Sequence, residues 1–174
     1  METSYVTTHL EDWVTNMYKR LNVHQPNEIN PVKIARYFEI YLKQHPYPSR
    51  YDVNGRFKAI TLDGRSTPKE KYEQFYHELC HILRHTGHQT MMPTAYRELQ
   101  ERDANNFMVY AAVPHHMLHF IDFNKPTPLL LRDMSDMFRV TELLCQKRLE
   151  RIKNRIMQKQ SYQLISENST NYEY

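Results

Sequence analysis

Glycine and cysteine are scarce in this chain, whose 174 residues include only three glycines and two cysteines. Helix-forming side chains are abundant, and the charged fraction of 25% is ordinary for a folded protein, which argues against disorder of the whole chain. Cys80 and Cys145 lie far apart within helical patterns, and neither has a Cys-x-x-Cys partner. We therefore expect reduced thiols and no disulfide scaffold.

Long apolar runs and a strong charge of one sign are also missing. No stretch approaches the roughly 20 apolar residues of a membrane span, and residues 1–8 lack the basic and apolar regions of a signal peptide. We therefore expect a cytoplasmic protein with no membrane partner. The net charge of +3 is below that of a dedicated nucleic-acid binder. The excess is local, since residues 132–159 contain eight Lys or Arg against four Asp or Glu.

Hydrophobic spacing and turn residues predict an α+β fold that is mostly helical, with a small antiparallel sheet packed near the helix that begins at Pro68. Asn30-Pro31 and Thr67-Pro68 each combine an N-cap with a first-turn proline, so a helix should follow each. Asn54-Gly55 predicts a hairpin. The predicted helices span residues 6–21, 31–38, 68–85, 94–113, 129–138 and 141–157, with a strand near 39–43, two strands within 49–62, a short helical piece at 115–120 and Gly87 as the stop of the third helix.

The segment Asn124-Lys125-Pro126-Thr127-Pro128 interrupts these patterns and marks a compositional boundary. A chain of this length suits one domain with a helical appendage. We predict a main domain of residues 1–128 and a C-terminal helical pair of residues 129–159 that packs on or beside it. Residues 160–174 are polar and lack periodicity, which predicts a disordered tail.

The segment His77-Glu78-Leu79-Cys80-His81 carries the clearest chemical signal. Two histidines four apart on a helix lie on one face about 6 Å apart at Cβ, a spacing that suits two ligands of one tetrahedral zinc ion. Glu78 then lies beside the metal, where it can accept a proton from an attacking water. An apolar arc lies opposite, so one face should pack in the core and the other should line a cleft. The same motif also occurs on surface helices with solvated histidines.

The next predicted helix offers a third ligand. Glu101 lies at the edge of an apolar arc, where a carboxylate needs a cation, although it could also be an ordinary surface acid. Glu98 shares the same broad face and is an alternative ligand, whereas Asp103 points roughly the other way. Asn105 could accept the proton of a ligand histidine's second nitrogen and so fix its tautomer.

The extended zinc-peptidase spacing His-Glu-x-x-His-x-x-Gly-x-x-His is absent, because Arg84 takes the glycine position and Gly87 that of the third histidine. His85 and His88 are therefore not expected as third ligands. His85 still lies on the predicted cleft side, where it could contact substrate or a ligand. The alternative is a helix-terminal histidine favoured by the helix dipole.

Together these segments resemble the ImmA/IrrE family of metallo-endopeptidases. The resemblance spans residues 30–115 and implies a minimal zincin-like core. A second stretch beyond this span, the Phe-Arg-Val-Thr turn at 138–141 that precedes Arg148-Leu149, also resembles the family's closing segment. Departures at 107–108 and 111–114, where Phe-Met and Ala-Ala-Val-Pro replace the family's usual Phe-Ala and Leu-Leu-Met-Pro, affect packing rather than metal chemistry. The motifs that carry the resemblance are Phe75-Tyr76-His77-Glu78-Leu79-Cys80-His81-Ile82-Leu83, Glu-x-x-Ala-Asn-x-Phe at 101–107, and Pro114.

The resemblance implies a gluzincin-like site. His77, His81 and Glu101 would be the zinc ligands, Glu78 the general base and Asn105 the residue that orients a ligand. It also implies a protein substrate, because family members typically cleave helix-turn-helix repressors. Many are encoded by prophages or integrative elements, where cleavage relieves immunity.

Two other functions stay open at this point. A nucleic-acid-binding regulator with a structural zinc could use the C-terminal helices, although their cations could equally coat one solvated face. A catalytically silent protein could capture a repressor without cutting it, but a pure zinc scaffold has no use for the Glu78 carboxylate. The candidate nucleic-acid contacts are Lys147, Arg148, Arg151 and Lys153.

Overall fold

The computed structural model describes residues 5–85 and 92–170 of the chain. In these residues the protein has six α-helices and one three-stranded sheet, which confirms the predicted α+β class and its mostly helical character. None of these helices is both long and apolar enough to cross a membrane. The elements are α1 (His9–Arg20), α2 (Pro31–Tyr37), β1 (Tyr41–His45), β2 (Arg50–Asn54), β3 (Phe57–Asp63), α3 (Pro68–Arg84), α4 (Thr94–Ala112), α5 (Thr127–Phe138) and α6 (Glu142–Thr170), with short 3₁₀ segments at Pro26–Glu28 and His115–Phe120.

Helix α3, which carries the histidine motif, begins where the sequence predicts. The Thr67 hydroxyl accepts a hydrogen bond from the backbone N–H of Glu70, and the Glu70 carboxylate accepts one from the Thr67 N–H at 2.7 Å. Such a capping box stabilises a helix start by about 1 kcal/mol, and Pro68 supplies the first helical residue at no hydrogen-bond cost. The helix ends at Arg84, and Gly87, its predicted stop, lies outside the described residues.

The sheet is mixed, which corrects the expectation of an antiparallel sheet. β2 and β3 form the predicted hairpin, in which Asn54 pairs with Phe57 across a two-residue loop and Gly55 adopts a φ of 58°. β1 instead pairs parallel with β3, so the strand order is β1-β3-β2. A parallel pairing uses no tight turn, so no local turn signal in the sequence could reveal it.

Two buried tyrosines connect the helices of the hydrophobic core. The Tyr18 hydroxyl of α1 donates a hydrogen bond to the Ala111 carbonyl of α4 at 2.8 Å, and it therefore accepts one from the Tyr76 hydroxyl of α3 at 2.7 Å. Both side chains are fully buried, so each hydroxyl needs these partners. The contacts fix α3 and α4 relative to each other through α1.

A buried ion pair ties α6 to α1 and to the end of α4. Arg148 is fully buried, and its Nη2 lies 2.8 Å from Oε1 of Glu11, which is also buried. The Arg148 Nε donates to the Val113 carbonyl at 3.0 Å, and its Nη1 donates to the Tyr5 hydroxyl at 3.2 Å. Arg148 is therefore an internal structural residue and not an exposed cation.

The C-terminal helices pack against the same hydrophobic core as α1, α3 and α4. Arg139 adopts a left-handed conformation with a φ of 58° and ends α5, which allows the chain to turn into α6. α6 continues to Thr170, whereas the sequence predicted that this helix ends at Met157. The prediction ended the helix too early because it relied on apolar periodicity, while residues 158–170 contain no proline or glycine to stop a helix. The disordered tail of residues 160–174 stays a prediction.

Candidate metal centre

Helix α3 presents three histidines on one face, at positions 77, 81 and 85, because each follows the last by four residues. Leu79 on the opposite face is fully buried in the core, so the predicted division of the helix into a core face and a second face is confirmed. β2 covers part of that second face. The Tyr51 ring stacks on the His81 ring with centroids 5.0 Å apart and planes within 11° of parallel.

His77, His81 and Glu101 bring three ligand atoms together. The Nε2 atoms of the two histidines are 3.2 Å apart, and the Glu101 oxygens lie 3.2 Å from His77 Nε2 and 3.4 Å from His81 Nε2. A tetrahedral zinc ion with ligand bonds of about 2.0 Å has ligand-to-ligand edges of about 3.3 Å. Each of these contacts is close to one edge of such a tetrahedron, although Oε2 of Glu101 faces His77 and Oε1 faces His81. The group of three residues could therefore hold a metal ion.

Burial and exposure differ across this group of three. Burial lowers the pKa of His81 to about 4, although the nearby Glu101 carboxylate opposes the shift. His81 is consequently neutral near pH 7, which is the form that binds a metal. The Glu101 side chain is 42% exposed while that of His81 is 2% exposed. The group thus has one buried side and one side that faces solvent.

Glu78 projects from α3 next to the two histidines and is almost completely buried. Its Oε1 accepts a hydrogen bond from the Ser49 hydroxyl at 2.9 Å, and its carboxylate also accepts one from the backbone N–H of Tyr51. Burial raises the pKa of Glu78, while these hydrogen bonds and His77 act in the opposite direction. The result is a carboxylate in a fixed position that binds a proton more readily than an exposed glutamate does.

His85 is the residue just after the last residue of α3, and it lies behind His81 with its side chain largely shielded from solvent. Its Nδ1 is 2.9 Å from the Nδ1 of His81, and its Nε2 is 3.0 Å from Oδ2 of Asp103 on α4. The same Oδ2 accepts hydrogen bonds from Arg84 Nε at 3.0 Å and from the Cys80 thiol at 3.7 Å. These hydrogen bonds, together with the ion pair between Arg84 and Asp103, lower the pKa of that carboxyl despite its partial burial.

The other predicted site residues lie elsewhere. Asn105 is exposed, and its Nδ2 donates a hydrogen bond to the backbone carbonyl of Glu101 at 2.8 Å. Its role as an acceptor for the proton of a ligand histidine stays a prediction. Glu98 is exposed and belongs to neither group of possible metal ligands in the described parts of the chain. The His85 side chain is 9% exposed, and its contact with substrate or a ligand stays a prediction.

Sequence reasoning missed three residues of this region. Ser49 and Tyr51 reach α3 only because the hairpin folds over it, and no local pattern links β2 to α3. Asp103, which we expected to point away from the site, also reaches the histidine-bearing end of α3, where its Oδ2 contacts His85. The regular spacing of the three α3 histidines was the available signal for the role of His85.

A cavity of about 290 Å³ opens beside His77. Its lining includes Ser49, Glu73, Gln74 and Met108 as well as His77, so it is polar on most sides. The cavity gives solvent and small groups access to the candidate centre on the side of Ser49, the residue that donates a hydrogen bond to Glu78.

The chain is similar to known proteins. The family model of peptidase M78, described as the IrrE N-terminal-like domain, matches residues 25–150. The chain is 34% identical over 148 residues to the phage-like element PBSX protein XkdA of Bacillus subtilis, covering 85% of this chain and 75% of XkdA. It is 31% identical over 145 residues to the protein named uncharacterized protein YqaB of the same organism, covering 83% of this chain and 84% of YqaB. The chain therefore belongs to the peptidase M78 family, the ImmA/IrrE type of metallopeptidase.

Proposed function

We propose that this protein is a zinc-dependent endopeptidase in which His77, His81 and Glu101 hold the metal and Glu78 is the general base. The main support is the convergence of His77, His81 and Glu101, whose ligand atoms contact one another at 3.2–3.4 Å. The Glu78 carboxylate is buried beside them on the helix that carries both histidines. Two imidazoles and one carboxylate suit zinc and leave a fourth position free, as in catalytic zinc sites.

The residues around the metal have separate roles in this proposal. The zinc ion, when bound, would act as a Lewis acid on the scissile carbonyl and on the attacking water. Glu78 would take the proton of that water and pass it to the leaving amine. Ser49 and the backbone of Tyr51 would hold the carboxylate in position, and the Tyr51 ring would restrict rotation of His81.

The proposed substrate is a helix-turn-helix repressor, cleaved in the cytoplasm so that the immunity of a prophage or another mobile element is relieved. Membership of a peptidase family supports a protein substrate. The relative named as a protein of the phage-like element PBSX supports a mobile-element setting.

The alternative of a DNA-binding regulator loses support from the arrangement of α6. Of its four candidate cations, Arg148 is fully buried. Arg151 binds the side chain and backbone carbonyl of Asn106 and lies over the Tyr110 ring. Only Lys147 and Lys153 of that set stay exposed, too few for the expected electrostatic contact with DNA.

The test is to incubate the zinc-loaded protein with the repressor encoded in the same mobile element and to follow fragments by gel and mass spectrometry. Wild type should cut at a defined peptide bond. Glu78→Gln should bind one zinc and keep the fold, yet lose at least about 100-fold in cleavage rate, because a general base contributes about 10²–10⁴-fold. Glu150→Gln, an exposed acid on α6, is the matched control and should cleave normally.

Two results would overturn the proposal. Normal cleavage by Glu78→Gln would exclude Glu78 as the base. A stable complex between the wild-type protein and an intact repressor would favour capture without cleavage.

A further inference from the structure

The contacts behind His81 form a continuous chain of hydrogen-bonding groups. It runs from His81 Nδ1 to His85 Nδ1 at 2.9 Å and from His85 Nε2 to Asp103 Oδ2 at 3.0 Å. Arg84 Nε anchors the same oxygen at 3.0 Å. His81 and His85 are largely buried, so water does not readily replace these partners.

The protons of this chain can be assigned from the chemistry of the groups. If His81 binds a metal through Nε2, its Nδ1 must carry the proton of a neutral imidazole and donate it. His85 Nδ1 must then be the acceptor, which leaves the His85 proton on Nε2. That proton needs an acceptor, and the Asp103 carboxylate supplies one. A single set of proton positions therefore satisfies every group from His81 to Asp103.

We propose that His85 and Asp103 are positioning residues that fix the tautomer and ring orientation of His81 for metal binding. This inference rests on the metal ligands of the proposed function. His85 acts as a spacer, since its Nε2 contacts Asp103 Oδ2 while its Nδ1 contacts His81 Nδ1. Groups that bind the second nitrogen of a ligand histidine set its tautomer, and their loss typically lowers metal affinity or activity by about 10–100-fold.

Helix α4 carries both ends of this arrangement. Glu101 reaches the Nε2 side of His81, and Asp103, two residues later, holds the far side through His85. Residues of α4 therefore act on both nitrogens of His81, Glu101 directly and Asp103 through His85. The Tyr51 ring stacks on the face of the same imidazole.

Cys80, His85 and Asp103 also lie close enough to be considered as a second metal site. The Arg84 guanidinium already neutralises Asp103 at 3.0 Å, and a second cation there would be repelled by it. Burial also holds the Cys80 thiol protonated, which favours hydrogen bonding over metal binding. These residues are therefore better suited to ending the series of hydrogen bonds behind His81 than to binding a metal.

The first experiment uses the wild-type protein and needs no substitution. Long-range ¹H–¹⁵N NMR of the zinc-loaded protein, at a pH where imidazoles are neutral, should show His81 and His85 in opposite tautomers, with protons on Nδ1 and Nε2 respectively. Finding the His85 proton on Nδ1, or rapid exchange between its two tautomers, would overturn the proposal.

The second experiment compares variants by zinc affinity, measured in competition with a chromophoric chelator, and by the visible spectrum of the Co²⁺-substituted protein. His85→Phe and Asp103→Ala should each weaken zinc binding by about 10–100-fold and alter the cobalt spectrum. Asp103→Asn retains an oxygen acceptor and should recover part of the loss. The matched controls are the exposed residues His119 and Glu150, changed to Phe and Ala, which should leave both readouts unchanged.

These readouts separate the positioning role from a purely structural one and from the proposed peptidase activity. A variant that only loosens the fold would lower the Tm while its folded fraction keeps the wild-type cobalt spectrum. If the variants match their controls in zinc affinity and spectrum, the positioning role is refuted. If the spectra change as expected but wild type cleaves no repressor, the peptidase proposal fails and the positioning role stands.

Discussion

The buried pair formed by Glu11 and Arg148 offers a quantitative test of how the N-terminal helix is held. Glu11→Gln keeps the shape of the side chain but removes the charge that faces the Arg148 Nη2 at 2.8 Å. The guanidinium would then be buried without a counter-charge, although it keeps its bonds to the Val113 carbonyl and the Tyr5 hydroxyl.

Breaking a buried ion pair by removing one partner costs about 3–5 kcal/mol. The two hydrogen bonds that Arg148 keeps place the expected loss near the lower end, at about 3 kcal/mol. Small domains have free energies of unfolding of about 5–15 kcal/mol, so the variant should stay folded at 25 °C. Adding Arg148→Met to Glu11→Gln removes the unpaired charge, so the double variant should lose less than the sum of the two single changes.

The stability lost in Glu11→Gln should also depend on pH. Burial acts to raise the pKa of Glu11, but Arg148 and the hydrogen bonds from Tyr5 and Thr8 together lower it below its ordinary value of 4.5. A carboxyl group with a lowered pKa stabilises the folded state above its unfolded pKa, and this stabilisation is lost as the pH falls through its folded pKa. The difference between wild type and Glu11→Gln should therefore be constant above about pH 4.5 and shrink below it.

The assay is urea unfolding followed by circular dichroism, at neutral pH and at several acidic values, with Asp12→Asn as the control. Asp12 is an exposed acid in the first turn of the same helix, and its neutralisation should cost less than about 1 kcal/mol. A loss below about 1 kcal/mol for Glu11→Gln, or a loss that does not change with pH, would contradict the reasoning.

Three further predictions concern the metal group and the core. Glu101→Gln should weaken zinc binding measured by chelator competition, whereas Glu98→Gln should not; equal effects would reopen Glu98 as the ligand. A chelator should lower the Tm of wild type and added zinc should restore it, because a ligand of the folded state stabilises it; an unchanged Tm would argue against a bound metal. Tyr18→Phe should cost about 1–3 kcal/mol in chemical unfolding and more than Tyr76→Phe, because it leaves both the Ala111 carbonyl and the Tyr76 hydroxyl unpaired; the reverse order would contradict the assigned donors.

The sequence was sufficient for the features that depend on neighbouring residues. The N-cap and first-turn proline at Thr67-Pro68, the hairpin at Asn54-Gly55 and the core face of α3 are each determined within a few residues, and the structure has them as predicted. The proximity of Glu101 to the α3 histidines was also predictable, because the resemblance to a known family joined the two segments.

The features that depend on distant segments could not be predicted in the same way. The parallel pairing of β1 with β3 and the contact of Ser49 with Glu78 arise from the path of the whole chain. The contact of Asp103 with His85 could be recognised only once α3 and α4 were packed together. Arg148 looked like a surface cation because its buried counter-charge, Glu11, lies far away in sequence.

Helix α3 contributes one face to the core and the other to the candidate metal centre, which limits how its sequence can change over evolutionary time. Leu79 packs into the core while His77 and His81 face α4, so the rotation of the helix is set by both faces at once. A single inserted residue just before His77 would turn the motif by about 100° relative to the preceding core residues. Substitutions can accumulate on this helix one at a time, whereas insertions and deletions within it should be eliminated.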